Sequence, residues 1–344
     1  MLPLGGTDNQ QGKTDSMTTG KQIVAEIGLL LYPDVQLAAV YGLTDLFRIA
    51  GEISQERGGP DALVIRVTHG RQAAGRTGVD CLFDSHPGPA HNPSHLIAPP
   101  SLIMPAKMQP MNGLASWLAE RHGEGATLCS VCAGAFLLGE AGLLEGREAT
   151  THWAFAKELA ARFPAAKVDT DRMVIDDGDL ITAGGILAWT DLGLTLVERL
   201  LGPSVMLETA RFLLIDPPGR TQQPYGHFVP RLDHGDAAIL KVQHWLQASG
   251  ARDHDVPALA RRAGLEERTF LRRFRKATGL RPTEYAQQIR IAKAREALEL
   301  SRRPVAQIAW DVGYEDASAF RKLFQRITGL APADYRRRFG VAAA

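Results

Sequence analysis

One cysteine stands where the sequence could do covalent chemistry. Cys132 follows an apolar segment over Thr127–Val131 and precedes Ala133-Gly134, which begin a helix-forming segment. A strand that turns into a helix through small residues has the form of a nucleophile elbow, and a helix N-terminus lowers the pKa of a thiol. His152, twenty residues later, could complete a Cys–His nucleophile, or it could equally be a core histidine that caps its own helix. Small buried cysteines are also common, so Cys132 stays open as a pocket-lining residue, a structural remnant or a working nucleophile.

A repeat in the last third of the chain carries a second kind of chemistry. Phe270 and Phe274 recur fifty residues later as Phe320 and Phe324, each pair on one face of a helix. A short helix and a Gly turn precede each pair, which is the helix-turn-helix layout. The outward residues, which we predict to bind DNA, are Arg268, Leu271, Arg272 and Arg275 in the first copy and Ser318, Arg321, Lys322 and Gln325 in the second. Such side chains can read base edges and neutralise phosphates, although solubilising charge is the alternative.

The distribution of charge supports a DNA-binding tail. Residues 231–344 contain 22 Lys and Arg against 13 Asp and Glu, a net charge of +9, although the whole chain of 344 residues carries only +1. The rest of the chain is therefore acidic, which indicates a nucleic-acid-binding module fused to a domain of another kind. About 20 residues separate the two copies, and a helix of that length spans about 30 Å, close to the spacing of successive major-groove faces.

The elements that must position Cys132 alternate between strands and helices. Strands are predicted at 23–32, 62–68 and Thr127–Val131 with a hairpin at 173–182, and helices at 111–122, 133–144, 152–163 and 186–201. This order predicts an α/β sandwich with a mostly parallel sheet, followed by an all-α double helix-turn-helix domain. The expected divisions are a disordered lead at 1–21, a sensor domain at 22–215, a linker at 216–234 and a DNA-binding domain at 235–340.

Composition excludes several other classes of protein. No apolar run reaches the length of a membrane-spanning helix, the first twenty residues lack a secretory signal, and three cysteines suit a reducing cytoplasm. Cys129 is interpreted as core packing, and Cys81 is placed in a polar loop. His86, His91 and His95 lack the helical spacing of a metal site and are assigned to a loop, so no metal or cofactor is expected.

The last third resembles the AraC/XylS family of transcriptional regulators. The resemblance rests on Ala260, Gly264 and Phe270 to Phe274, on Arg290-Ile291, and on the second copy, with Ile308-Ala309, Gly313-Tyr314, Gly329, Pro332 and Tyr335-Arg336. It implies a seven-helix, double helix-turn-helix DNA-binding domain, with Arg268, Leu271 and Arg272 in the first base-reading positions and Ser318, Arg321 and Lys322 in the second. Glu266 departs from the family, which usually has a capping Ser there. An acid suits a helix N-terminus but is repelled by phosphate.

The front of the chain, about 22–203, resembles the PfpI/ThiJ branch of the class I glutamine amidotransferase-like fold. The matching features are the Cys132 elbow, Thr150-Thr151-His152 and Thr182-Ala183-Gly184-Gly185. Hydrolases of this branch use an acid early in the first helix, where this chain has Ala39. They also use a Gly-Gly turn for an oxyanion, where this chain has Ala98-Pro99-Pro100-Ser101, and proline has no N–H to donate.

Together the two resemblances match the GlxA-type regulators, so we predict a DNA-binding transcriptional regulator rather than an enzyme. The resemblance implies that the front domain senses a small metabolite, by analogy a nitrogen-containing one, at Cys132, Ala133, His152 and Ser101, and that two chains dimerise through it. The alternatives are a Cys-dependent hydrolase, amidase or glyoxalase-like enzyme with an appended DNA-binding domain, and a nucleoid-type binder with little sequence preference.

Overall fold

The apolar strands at the front of the chain form one seven-stranded sheet in the computed structural model, which describes residues 22–59, 62–73, 78–88, 90–252 and 254–341. In chain order the strands are β1 (Gln22–Leu31), β2 (Leu63–Gln72), β3 (Val79–Asp84), β4 (His95–Ala98), β5 (Thr127–Val131), β6 (Glu148–Ala149), β7 (Lys167–Val168), β8 (Val174–Asp176) and β9 (Leu180–Ala183). The sheet order is β3-β2-β1-β4-β5-β9-β8, and β6 and β7 pair separately. The inner pairings are parallel and only the edge strands β3 and β8 run antiparallel, which confirms the mostly parallel sheet.

Six helices accompany this sheet within the described residues. They are α1 (Leu37–Gly58), α2 (Asn112–Gly123), α3 (Gly134–Glu140), α4 (Ala156–Arg162), α5 (Trp189–Leu201) and α6 (Pro203–Leu213). Helices α1, α5 and α6 pack against one another, and α3 packs against both α2 and α4. Their apolar faces and the sheet share one large core.

Several predicted elements change at their ends or were missed. The helix expected at 152–163 begins as a 3-10 turn over Trp153–Phe155 before α4, and that expected at 186–201 begins at Trp189. Strands β3 and β4 and helix α6 were not predicted. Cys81 lies on β3 and His95 begins β4, so the loop assignments of these two residues were wrong. The predicted lead at 1–21 lies outside the described residues.

The last third is all helical, as predicted. Its helices are α7 (Ala237–Ser249), α8 (Val256–Ala263), α9 (Glu267–Thr278), α10 (Pro282–Leu300), α11 (Val305–Asp311), α12 (Ala317–Thr328) and α13 (Pro332–Phe339). They make two separate cores. The first half of α10 contributes Tyr285 and Ile289 to one core, and its second half contributes Ala294 and Leu298 to the other.

The length and hydropathy of the helices bear on the membrane question. Among the described residues, no helix combines the length and apolar character needed to cross a bilayer.

Candidate functional site

The Cys132 elbow has the geometry that its sequence predicts. Cys132 follows β5 directly with a φ of 55°, a left-handed conformation that is uncommon outside glycine. Its backbone N–H donates to the Ala183 carbonyl at 2.8 Å, which fixes the turn to the end of β9. Gly134 begins α3, and a Cβ at that position would collide with the carbonyl oxygen of Ala98. Glycine at position 134 is therefore required by the close approach of α3 to the end of β4.

The environment of Cys132 keeps its thiol neutral. The side chain is buried, and this burial raises the thiol pKa to about 12, although the backbone N–H groups of Ala133 and His152 oppose the shift. Burial also raises the pKa of Tyr32, whose hydroxyl donates to the Pro99 carbonyl near the elbow. Because the thiolate is the reactive form, Cys132 is a weak nucleophile in this state.

His152 lies beside Cys132, but its ring serves another purpose. Its Nδ1 accepts a hydrogen bond from the backbone N–H of Ala154 at 3.1 Å, which caps the 3-10 turn. A neutral ring with an accepting Nδ1 carries its proton on Nε2, so no ring nitrogen is left to accept the thiol proton. Burial lowers the pKa of His152 and favours this neutral form. The Cys–His pair therefore lacks the arrangement of a general base and its nucleophile.

The groups that the resemblance assigns to catalysis are absent or occupied. Ala39 is fully buried on α1, whose first turn contains no acidic residue. The Pro100 carbonyl accepts from the backbone N–H of Gln36 at 2.7 Å. Ser101, predicted to bind ligand, donates its hydroxyl to the Asp34 carbonyl at 3.3 Å and so anchors the loop after β4. Of the predicted ligand residues, the structure brings Cys132, Ala133 and His152 together and commits Ser101 to this loop.

Gln222 is a residue of this site that the sequence analysis missed. It lies in the segment assigned to the linker, yet only 2% of it is exposed. Its Nε2 lies 3.0 Å from Thr150 Oγ1 and 2.9 Å from the Thr151 carbonyl, and the Thr151 hydroxyl donates to the Cys132 carbonyl at 2.8 Å. Gln222 is thus two hydrogen bonds from the elbow. No local signal marks it, because its burial depends on residues about seventy positions earlier.

A cavity of about 730 Å³ lies beside Gln222, between the front domain and the helical domain. Trp153 and Asp171 line it from the front domain, and Tyr285 and Arg295 line it from α10. Its size falls in the range of small-molecule sites, which occur preferentially between domains. The predicted ligand residues Cys132, Ala133, His152 and Ser101 do not line this cavity, which is reached instead by Gln222 and by Trp153 next to His152.

The two helix-turn-helix copies repeat in structure as they do in sequence. The Phe270 and Phe274 rings lie 5.4 Å apart in α9, and the equivalent rings of α12 lie 5.6 Å apart, all fully buried. Thr278 and Thr328 each donate to the carbonyl four residues back at 2.8 Å, and each helix ends at a glycine with positive φ. The two copies are thus the same unit built twice.

The outer faces of α9 and α12 are open to solvent. Every residue predicted to bind DNA is exposed: Arg268, Leu271, Arg272, Arg275, Ser318, Arg321, Lys322 and Gln325. The helix starts differ. Asp316 caps α12 by accepting from the backbone N–H groups of Ser318 and Ala319, whereas the Glu266 side chain makes no cap hydrogen bond to α9.

The three neighbouring histidines do not come together as a metal site. His91 contacts the buried Glu26 carboxylate at 3.3 Å, and His95 contacts Ser94 Oγ at 3.0 Å. Within the described part of the chain, no group of three or more His, Cys, Asp or Glu side chains is placed to hold a metal ion. Glu26 instead pairs with the buried Arg66, which also pairs with Asp84.

Comparison with known proteins matches both halves of the chain. A helix-turn-helix domain family matches residues 259–338, and the DJ-1/PfpI family matches residues 94–199. The HTH-type transcriptional regulator GlxA of Rhizobium meliloti (strain 1021) is 30% identical over 219 residues, which cover 63% of this chain and 67% of that protein. The HTH-type transcriptional regulator CdhR of Pseudomonas aeruginosa is 27% identical over 65% of this chain and 66% of its own length.

One enzyme is also similar, over the front domain only. Isonitrile hydratase of Pseudomonas putida is 36% identical over 139 residues, which cover 40% of this chain and 54% of the enzyme. The regulators match over a longer part of the chain, about two thirds of their own length. With a DJ-1/PfpI domain in front and a double helix-turn-helix domain behind, the chain belongs to the GlxA-type transcriptional regulators of the AraC family.

Proposed function

We propose that the chain regulates transcription by laying α9 and α12 into successive major-groove segments of double-stranded DNA. The observation that carries this proposal is the repeated unit, whose two second helices each keep a basic, exposed outer face. In the first copy Arg268, Leu271, Arg272 and Arg275 contact the duplex, and in the second Ser318, Arg321, Lys322 and Gln325 do so. Helix α10 has 19 residues and so spans about 28 Å, which suits this spacing.

The proposed division of labour follows the boundaries expected from the sequence. Residues 22–215 sense a small, nitrogen-containing metabolite and hold two chains together as a dimer. Residues 216–234 connect this domain to residues 235–340, which bind DNA. The cytoplasm is the compartment in which such a regulator would work. A ligand bound near Cys132 shifts the population between two arrangements of the paired DNA-binding domains, one that can bind DNA and one that cannot.

The front domain is proposed to bind its ligand without transforming it. The neutral Cys132 thiol and the capping role of His152 support this proposal, as does Ala39 in place of an acid. The similarity to isonitrile hydratase favours a second candidate, a Cys-dependent hydrolase. That candidate requires turnover which Cys132→Ser abolishes, whereas a sensor loses its ligand response and keeps DNA binding.

The DNA-binding proposal is tested by footprinting the full chain on genomic fragments, followed by anisotropy titrations of the protected duplex. We expect Arg272→Ala and Lys322→Ala to cost about 1–3 kcal/mol each on that duplex and to relax specificity at individual base pairs. Arg48→Ala removes the same charge from an exposed site on α1 of the front domain and should change little. Uniform weakening across all sequences would contradict base reading and favour a nucleoid-type binder.

A further inference from the structure

The Gln222 carboxamide is bound as a ligand would be bound. Its Nε2 faces three acceptors, Thr150 Oγ1 at 3.0 Å, the Thr151 carbonyl at 2.9 Å and the Arg172 carbonyl at 3.2 Å. Its Oε1 accepts from the backbone N–H of Trp153 at 3.1 Å. Acceptors around the nitrogen and a donor at the oxygen together match a primary carboxamide.

Other groups would fit this subsite poorly. A carboxylate there would place an oxygen against the Thr151 and Arg172 carbonyls. An apolar group would leave at least one of these carbonyls unpaired, because the other donor near them is the single hydroxyl of Thr150. The absence of a side chain at Gly184 makes the room, because a Cβ there would collide with the Gln222 amide. The subsite is therefore selective for a carboxamide in both shape and polarity.

The turn that begins at Gln222 also forms hydrogen bonds with the helical domain. The backbone N–H groups of Tyr225 and Gly226 donate to the Gln222 carbonyl. Within this turn, the carbonyls of Gln223 and Gly226 accept from the guanidinium of Arg295 on α10, the Gln223 contact being 3.1 Å. Only 5% of Arg295 is exposed. Gln222 is therefore connected, through this turn and Arg295, to the helix between the two helix-turn-helix units.

The carboxamide subsite is next to open space. Gln222, Trp153 and Asp171 line the cavity of about 730 Å³, and Arg295 lines it from α10. Gln222 is thus a lining residue of this cavity, although only 2% of it is exposed. A small molecule in the cavity could replace the amide if it offers the same donors and acceptor.

We propose that Gln222 is a built-in occupant of a carboxamide-binding subsite, and that an effector bearing a primary carboxamide displaces it and releases the Gln222–Gly226 turn. Displacement breaks the hydrogen bonds between the Gln222 side chain and the front domain, so the turn that binds Arg295 is no longer fixed to that domain. The orientation of the two helix-turn-helix units towards DNA changes as a result. This inference rests on the proposed sensing function and names the chemistry of its effector.

The test removes the amide and supplies it from solution. Gln222→Ala keeps the Cβ and deletes the atoms of acetamide, so acetamide should fill the vacated subsite in the full-length chain. We expect the variant to bind acetamide at least about tenfold more tightly than acetate, because the Thr151 and Arg172 carbonyl oxygens repel a carboxylate oxygen. Wild type and Gln288→Ala, which alters a glutamine lining the cavity from α10, should bind acetamide about tenfold more weakly, since the subsite stays occupied.

The regulatory part is measured on the protected duplex. Gln222→Ala should change DNA affinity by about threefold or more, and saturating acetamide should return it towards the wild-type value. Equal binding of acetamide and acetate overturns the subsite, and DNA affinity that ignores acetamide overturns the coupling. Gln222→Glu, nearly isosteric with the native residue, repeats the DNA measurement with a side chain that the subsite rejects. Acetamide binding is measured without DNA, so loss of the proposed DNA-binding function would be seen separately.

Discussion

At the scale of single residues, burial decides what the elbow can do. A cysteine at a helix N-terminus is usually a good nucleophile, yet desolvation raises the Cys132 pKa to about 12. We predict that iodoacetamide leaves Cys132 almost unmodified at pH 7–8. The rate of Cys132 alkylation should keep rising well above pH 9. Mass spectrometry of digested protein would measure this, with the exposed Cys81 as the internal reference. A rate that levels off below pH 8 would mean that Cys132 is an activated thiolate, and it would favour the Cys-dependent hydrolase over the sensor.

His95 should make the front domain sensitive to acid. Burial, aided by Arg199, lowers the pKa of His95 to about 4 from an ordinary value near 6.5. The unfolded chain therefore binds the proton first, so stability is unaffected above pH 6.5 and falls as the pH drops to about 4. The loss is at most about 3 kcal/mol. Urea unfolding across this range should show the slope, and His95→Gln should flatten it; an unchanged slope would assign it to another group.

At the scale of elements, the first recognition helix lacks the cap that the second one has. Asp316 accepts two backbone N–H groups at the start of α12, whereas Glu266 accepts none at the start of α9. We predict that Glu266→Ser stabilises the helical domain by about 1 kcal/mol relative to Glu266→Gln, because both lose the charge and only Ser can cap. Urea unfolding compares the two. Equal stabilities would show that the α9 start does not need a cap. Both variants should bind DNA more tightly than the wild type, because both lose the negative charge that phosphate repels.

How far the sequence predicts each element depends on where its stabilising contacts lie. Helices α9 and α12 are predictable because their Phe pairs and terminal glycines are local signals. Strand β3 was missed because it lies at the sheet edge, where half of its six residues are exposed and none is fully buried. Helix α6 was missed because Gly202-Pro203 suggests an end rather than Pro at a helix start.

The candidate site divides in the same way. Cys132 and His152 could be placed together from the elbow and its spacing. The sequence also leaves open the capping role of His152, which is a local contact to Ala154 two residues later. The burial of Gln222 could not be predicted, since it depends on tertiary contacts with residues about seventy positions earlier.

At the scale of the whole molecule, DNA recognition depends on holding two rigid units at one spacing. Each unit has its own core, and α10 is the element that contributes to both. Arg290, buried near the middle of α10, donates to the Ala251 and Arg252 carbonyls of the first unit and to the Gly313 carbonyl of the second. A guanidinium can make these bonds at once because its donors form a fixed fork, which an ammonium lacks. Arg290 thus sets the orientation of one unit against the other.

Arg290→Lys should therefore separate bivalent from single-unit binding. We predict that affinity for a duplex carrying both half-sites falls by about tenfold or more, because the two units no longer arrive in register, while affinity for a single half-site changes by less than about threefold. Anisotropy titrations on the two duplexes measure the ratio, and Arg302→Lys, at an exposed position just after α10, is the matched control. An equal loss on both duplexes would mean that Arg290 supports each unit by itself, and the fixed spacing along α10 would then have to come from the apolar contacts of its two cores alone.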